Sequence, residues 1–182
     1  MVDGDKSPSP RKKELLEKSY RYVLRHGLID MSLRPLAEAI GSSPRVLLFL
    51  FGSKDGLVRE LLARAREAEL AMLQTIAQQG HHDLADAASW LWQWLSDARH
   101  RDLLNLWVEA YGRSLTTPQG PWGGFAESTV HDWLQVLQEH QPEHFRSTTA
   151  AAQQRTTILA MLRGALLDLL ATGDTARVTA AV

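Results

Sequence analysis

The 182 residues, 45% hydrophobic and 23% charged, suit one or two small helical domains with a sizeable core. The chain has no cysteine, which excludes disulfides, thiol redox sensing, cysteine-ligated zinc and cysteine nucleophiles, and no apolar run approaches the roughly 20 residues of a membrane span. The net charge of −1 conceals a division: residues 1–66 carry +5, residues 67–182 carry −6, and all five lysines fall within the first 54 positions, so the front half suits a polyanion.

Residues 1–9 are polar and without periodicity, and read as a flexible arm. No apolar stretch follows to make a secretory signal, so a cytoplasmic location is expected. Ser9-Pro10 opens a helix, a side-chain cap followed by proline at the first helical position. Leu16, Tyr20, Val23 and Leu24 form its apolar face, and Gly27 followed by Leu28 closes it. Ser32 and Ser43 read as caps of two short helices, the second reinforced by Pro44. Ser53 caps a long helix that runs to Gln79 before Gly80 breaks it, roughly 39 Å at about 1.5 Å per residue. Residues 83–97 and 101–115 are apolar nearly all round, which implies burial among other helices. The stretch 116–124, TTPQGPWGG, is a loop; helices at 125–140 and 149–172 follow, separated at Gln141-Pro142 and closed by Gly173. No segment alternates between apolar and polar residues, so the expected fold is all-α.

Residues 32–51, SLRPLAEAIGSSPRVLLFLF, have the spacing of a helix-turn-helix. Ala37 sits where two helices cross closely and a larger side chain would part them. Gly41, four positions on, ends the first helix with a backbone angle that other residues resist. Leu47, six further, faces back to pack on Leu36 and Ile40. The N-terminal half of the second helix is then left to project outward, as entry into a major groove requires.

With its flanks, this segment resembles the DNA-binding domain of the TetR family of bacterial regulators. The resemblance covers residues 11–62 and rests on Gly27, Ser32-Leu33-Arg34, Ala37, Gly41, Ser43, Leu47, Phe51, and Ser53-Lys54-Asp55 with Leu57. It implies an N-terminal three-helix DNA-binding domain and a C-terminal helical bundle for ligand binding and dimerisation. The boundaries expected are an arm at 1–9, a DNA-binding domain at 10–53 and an effector and dimerisation domain at 54–182. By position, the DNA-facing residues are Arg34, Ser43, Pro44, Arg45, Val46, Leu48, Phe49 and Leu50, with Lys54 on the backbone. Arg34 and Arg45 have the donor fork that suits guanine O6 and N7. Lys54, at a helix N-terminus, suits a phosphate, and Arg11, Lys12 and Lys13 are candidates for flanking phosphate contacts. Leu48 stands where the family usually has a tyrosine, and Phe49 and Leu50 where polar residues or histidine are commoner. Leu47, Leu50 and Phe51 read as core; Phe49 is open between core packing and a thymine methyl.

All six tryptophans lie beyond residue 89. Trp90 and Trp94 share one helix face, Trp107 and Tyr111 repeat that spacing, and Trp122 and Phe125 flank the glycine-rich loop. Such a concentration builds a core or lines a cavity. The resemblance places an effector pocket here, for a small apolar or aromatic molecule, with Glu109, Arg113 and Gln93 as polar anchors. The last two helices carry stripes suited to self-association: Trp133, Val136 and Leu137 on one, Ile158, Met161, Leu162, Ala165 and Leu169 on the other. By resemblance they form a two-fold bundle with a second copy, and the mid-helix Gly164 suggests a close approach there. The expected partners are therefore double-stranded DNA with a palindromic operator, a second copy and a small effector, without membrane, cofactor or metal. The HxxEH pattern at 140–144 lacks a continuous helical face because Pro142 interrupts it. His81-His82-Asp83 reads as a helix start, and no nucleophile elbow or phosphate loop is present. The function expected is a homodimeric repressor released by its effector; a helical enzyme or protein-interaction module with an incidental helix-turn-helix is the other reading.

Overall fold

The computed structural model describes residues 9–78 and 83–182, without the side chains of 76–78. The expectations for the arm at 1–8, the break at Gly80 and the pair His81-His82 lie outside the described residues. The elements are α1 (Pro10–His26), α2 (Leu33–Ala39), α3 (Pro44–Phe51), α4 (Lys54–Gln78), α5 (Leu84–Ser96), a 3-10 turn (Ala98–His100), α6 (Arg101–Thr116), α7 (Phe125–Glu139), α8 (Thr149–Thr172) and α9 (Thr175–Thr179). No strand occurs among the described residues, and no helix there is long and apolar enough to cross a membrane.

Local chemistry sets most helix starts. Ser9 accepts from the amide of Lys12 at 3.3 Å, Ser43 from that of Val46 at 3.3 Å and Ser53 from that of Gly56 at 2.9 Å. Asp83 caps α5 through the amides of Ala85 and Asp86. Ser32 differs from expectation: its hydroxyl makes no capping bond, and α2 starts from an extended backbone at Ser32 whose carbonyl takes the Leu36 amide at 3.2 Å. The turn after α2 is a Schellman motif. The Ser42 amide reaches the Ala37 carbonyl at 2.8 Å and the Gly41 amide the Glu38 carbonyl at 3.2 Å, with Gly41 at φ +68°. Gly56 is required for another reason: a Cβ there would lie 2.1 Å from the Phe51 carbonyl oxygen, so the junction of α3 and α4 closes only around glycine.

Two apolar cores result. The front core joins Leu15, Val23, Leu36, Leu47, Leu57 and Leu61 to Leu106, Ala110 and Phe125 from the rear helices. The rear core gathers Leu73, Leu91, Trp133, Leu137, Leu162 and Leu166. In α1 the buried face includes Leu15, with Leu16 and Leu24 only half-buried, because this helix is covered by both α4 and α6. Beyond the expected division at residue 53, α4 serves both cores: it gives Leu57 through Ala65 to the front core, and Met72 and Leu73 to the rear. The short α9, without an apolar period to announce it, buries Val178 and offers the Thr179 hydroxyl to the Trp92 indole at 3.0 Å.

Candidate nucleic-acid interface and interior cavity

The front core fixes α2 against α3 through Leu36, Ala37, Ile40 and Leu47, each at most 7% exposed. That leaves the other side of α3 in solvent. Phe49 is 86% exposed, and Val46 and Leu48 are exposed beside it, while Leu50 is half-buried and Phe51 buried. The ring of Phe49 is thus no part of the core. Arg34, Arg45 and Lys54 are exposed and, among the described residues, hold no hydrogen bond or ion pair. Pro44 and Ser43 are half-buried, with Ser43 engaged as a cap.

The basic run at the start of α1 is less uniform than the sequence suggests. Lys13 is exposed, and Arg11 pairs with Glu14 at 2.8 Å on its own helix. Lys12 is three-quarters buried, bonded to Glu60 of α4 at 2.6 Å with its ammonium 5.4 Å above the Phe51 ring. It ties α1 to α4 and is removed from the candidate phosphate contacts.

The aromatic residues of the rear half separate into groups. Trp94, Trp107 and Trp133 meet around a cavity of about 30 Å³ between α4, α5, α6, α7 and α8, walled also by Met72, Leu103 and Leu166. Trp90 belongs to the surrounding rear core. Trp122 and Phe125 pack on the front core and leave the candidate effector set. Glu109 leaves it too: its carboxylate accepts from the amides of Leu28 and Ile29 where α1 ends, close enough to Gly27 that a Cβ there would lie 3.3 Å away. Gln93 is exposed and lines no part of the cavity, and neither does Arg113.

Two charged residues that periodicity passed over line the cavity instead. Glu69 is 5% exposed; its Oε1 accepts from the indoles of Trp107 and Trp133, and its Oε2 is buried without a partner. Burial pushes its carboxyl up to about 7; the nearby Asp132 adds to the rise, while the indole donors and Arg163 oppose it. Arg163 gives Nη1 to the Tyr111 hydroxyl at 3.1 Å, and its guanidinium lies 5.0 Å from the Tyr111 ring; its Nε and Nη2 are buried and unpartnered. Burial lowers its pKa from the ordinary guanidinium value. The signal was present in the sequence: Glu69 interrupts the stripe Leu62, Ala65, Met72, Leu73, and Arg163 the stripe Leu159, Leu166, Leu170.

On α8 the rear core takes one side and solvent the other. Leu162 and Leu169, with Trp133 and Leu137 of α7, are at most 6% exposed in the single chain and are spent on its own core, which removes them from the candidate dimer face. Ile158 and Ala165 are half-buried, whereas Thr157, Ala160, Met161, Gly164 and Leu167 are exposed on the opposite side. Among the described residues, nothing lies within 4 Å of where a Cβ on Gly164 would sit. In the HxxEH segment, α7 stops at Glu139, so His140 and His144 share no helix.

Comparison with protein-family models finds no match to this sequence, and comparison with curated proteins finds none either. Solved structures do match. A TetR transcription regulator from Haloarcula marismortui aligns with a TM-score of 0.72 at 16% identity, over 94% of this chain and 92% of that one. A Rhodococcus protein assigned to the TetR family gives 0.72 and 16%, with 94% of each chain covered. The multidrug binding protein EbrR, solved with imidazole, gives 0.67 and 20%, over 100% of this chain and 94% of that one. At these identities the likeness is one of fold: an all-α chain with an N-terminal helix-turn-helix and a C-terminal helical domain, as in TetR-family regulators.

Proposed function

We propose that this protein is a TetR-type regulator that reads DNA through α3 and the start of α2, and that it acts as a homodimeric repressor released by a small effector. The observation that carries the reading is the set Arg34, Arg45 and Lys54, exposed and without side-chain partners among the described residues, around an outward-facing α3 in a segment (1–66) of charge +5. A guanidinium spent on an ion pair would have to break it to meet a guanine edge; these two have none to break. In this reading Arg34 and Arg45 specify bases, Lys54 and Lys13 meet phosphates, and Phe49 with Val46 and Leu48 covers thymine methyls.

The homodimer rests on α8. Ala160, Met161, Gly164 and Leu167 form an exposed stripe of small and apolar residues opposite the core face, and a second copy of the same helix covers it with two-fold symmetry. Two heads so held read half-sites about one DNA turn apart, or a multiple of it. Release by an effector is supported by the rear cavity and by the likeness in fold to a multidrug binding protein. The exposed Val46, Leu48 and Phe49 also favour a second reading, a protein-interaction module.

Binding to mixed-sequence duplex DNA at rising salt separates the two. A DNA reader loses affinity linearly on logarithmic axes, with a slope of about −0.9 per phosphate neutralised. Lys54→Ala is expected to flatten that slope by about one unit. Absence of salt-dependent binding overturns the regulator reading and favours the interaction module.

A further inference from the structure

Two residues that line the rear cavity, Glu69 and Arg163, carry three polar atoms that no other described residue serves. Glu69 Oε2 and the Nε and Nη2 of Arg163 are shut away from solvent and have no hydrogen-bond partner among the described residues. Buried polar groups in folded proteins are nearly always paired, so three on the residues that wall one cavity call for an occupant. The two side chains do not serve one another: Arg163 forms no ion pair with Glu69, whose other oxygen is already held by two indoles.

The arrangement selects its ligand by shape as well as charge. Tyr111 holds Nη1, which orients the guanidinium and leaves free the Nε/Nη2 edge, the two-donor edge that matches a planar carboxylate. Glu69 Oε2 remains for a hydrogen-bond donor. Between them the walls are the rings of Trp94 and Trp107 with Met72, Leu103 and Leu166, which accept a flat apolar body. We propose that the cavity recognises a small aromatic acid bearing a hydroxyl or amino group, with its carboxylate on Arg163, its donor on Glu69 Oε2 and its ring among the tryptophans. The proposal that this molecule is the effector rests on the regulator reading above; the site itself does not.

Size gives the binding a consequence. The cavity measures about 30 Å³, whereas an apolar cavity that takes benzene measures roughly 150 Å³. An aromatic acid therefore enters only as the surrounding helices part, so it binds a widened state in preference to the one described here. Differential affinity of this kind is what a ligand needs to shift an equilibrium. One flank of the cavity, α6, also carries the Glu109 clamp on the front core.

Calorimetric titration of the full-length protein with 4-hydroxybenzoate, 4-aminobenzoate, benzoate and phenol tests the site. The two bifunctional acids are expected to bind at least about tenfold more tightly than benzoate or phenol. Arg163→Met abolishes the preference for carboxylates while the melting temperature holds or rises, since an underserved buried charge is removed; Glu69→Gln abolishes the preference for a donor. The proposal is overturned if the four compounds bind alike, if none binds below about 1 mM, or if Arg163→Met lowers the melting temperature and leaves the preference intact. DNA affinity, measured separately, distinguishes the two readings. Binding without change in DNA affinity overturns the effector role and keeps the site. Release from DNA by a compound that binds Arg163→Met equally well overturns the site and keeps the regulator.

Discussion

An acid in a core and an aromatic ring in solvent are each unfavourable alone, and this chain keeps both. Phe49 exposes its ring on the side of α3 that the front core does not use, one helical turn after the exposed Arg45. Glu69 sits on the apolar stripe of α4 and is held there by two indoles. Its carboxyl is ordinary in the unfolded chain, at 4.5, and about 7 in the folded one. The folded state therefore binds the extra proton between those values. This group's contribution to stability is complete below about pH 4.5, is lost as pH rises to about 7 and is constant above. Asp132 of α7, Arg66 of α4 and Arg163 of α8 are the charged neighbours that face it. Glu69→Gln removes the titration and retains an oxygen for the indoles. It is expected to raise stability at pH 8 by up to about 3 kcal/mol over the wild type and by much less at pH 5. Denaturant unfolding at the two pH values measures this, and an equal difference at both contradicts it.

At the scale of elements, α6, like α4, reaches both the cavity and the head. Leu103, Leu104 and Trp107 line the cavity, and two residues beyond Trp107, Glu109 accepts the amides of Leu28 and Ile29. Glu109→Ala leaves those amides without their charged acceptor, a loss of about 1–3 kcal/mol, and is expected to speed hydrogen exchange at residues 28–31. Unchanged exchange there contradicts the clamp. Helices were legible in the sequence wherever caps and apolar periods agreed, and α8 falls on the very residues expected, Thr149–Thr172. The helix-turn-helix was legible for the same reason, since Ala37, Gly41 and Leu47 act within one short segment. What was not legible depends on contacts distant in sequence. Glu109 meets residues some 80 positions away, and no spacing reports that. Trp133, Leu137, Leu162 and Leu169 form apolar stripes, but a stripe does not say whether its own chain or a second copy covers it. The five-residue α9 is too short for periodicity to register.

At the scale of the molecule, a basic head and an acidic rear half divide the labour that the proposed function requires. The heads must be held at a fixed separation, and the outward stripe of α8 is the surface available for this. Leu167, at 52% exposed, can be charged without touching the core. Leu167→Arg is expected to leave helicity unchanged, to halve the mass in solution and to weaken binding to a two-fold DNA site far more than to half of it. An unaltered mass would assign the interface elsewhere. If α2 and α3 read bases, selection from random-sequence duplexes shows it. The wild type is expected to enrich a palindrome, and Arg34→Ala and Arg45→Ala each to relax preference at one symmetric pair of positions, at a cost of about 1–3 kcal/mol per contact. Enrichment of no sequence, or of the same palindrome with undiminished preference by the double variant, would contradict it.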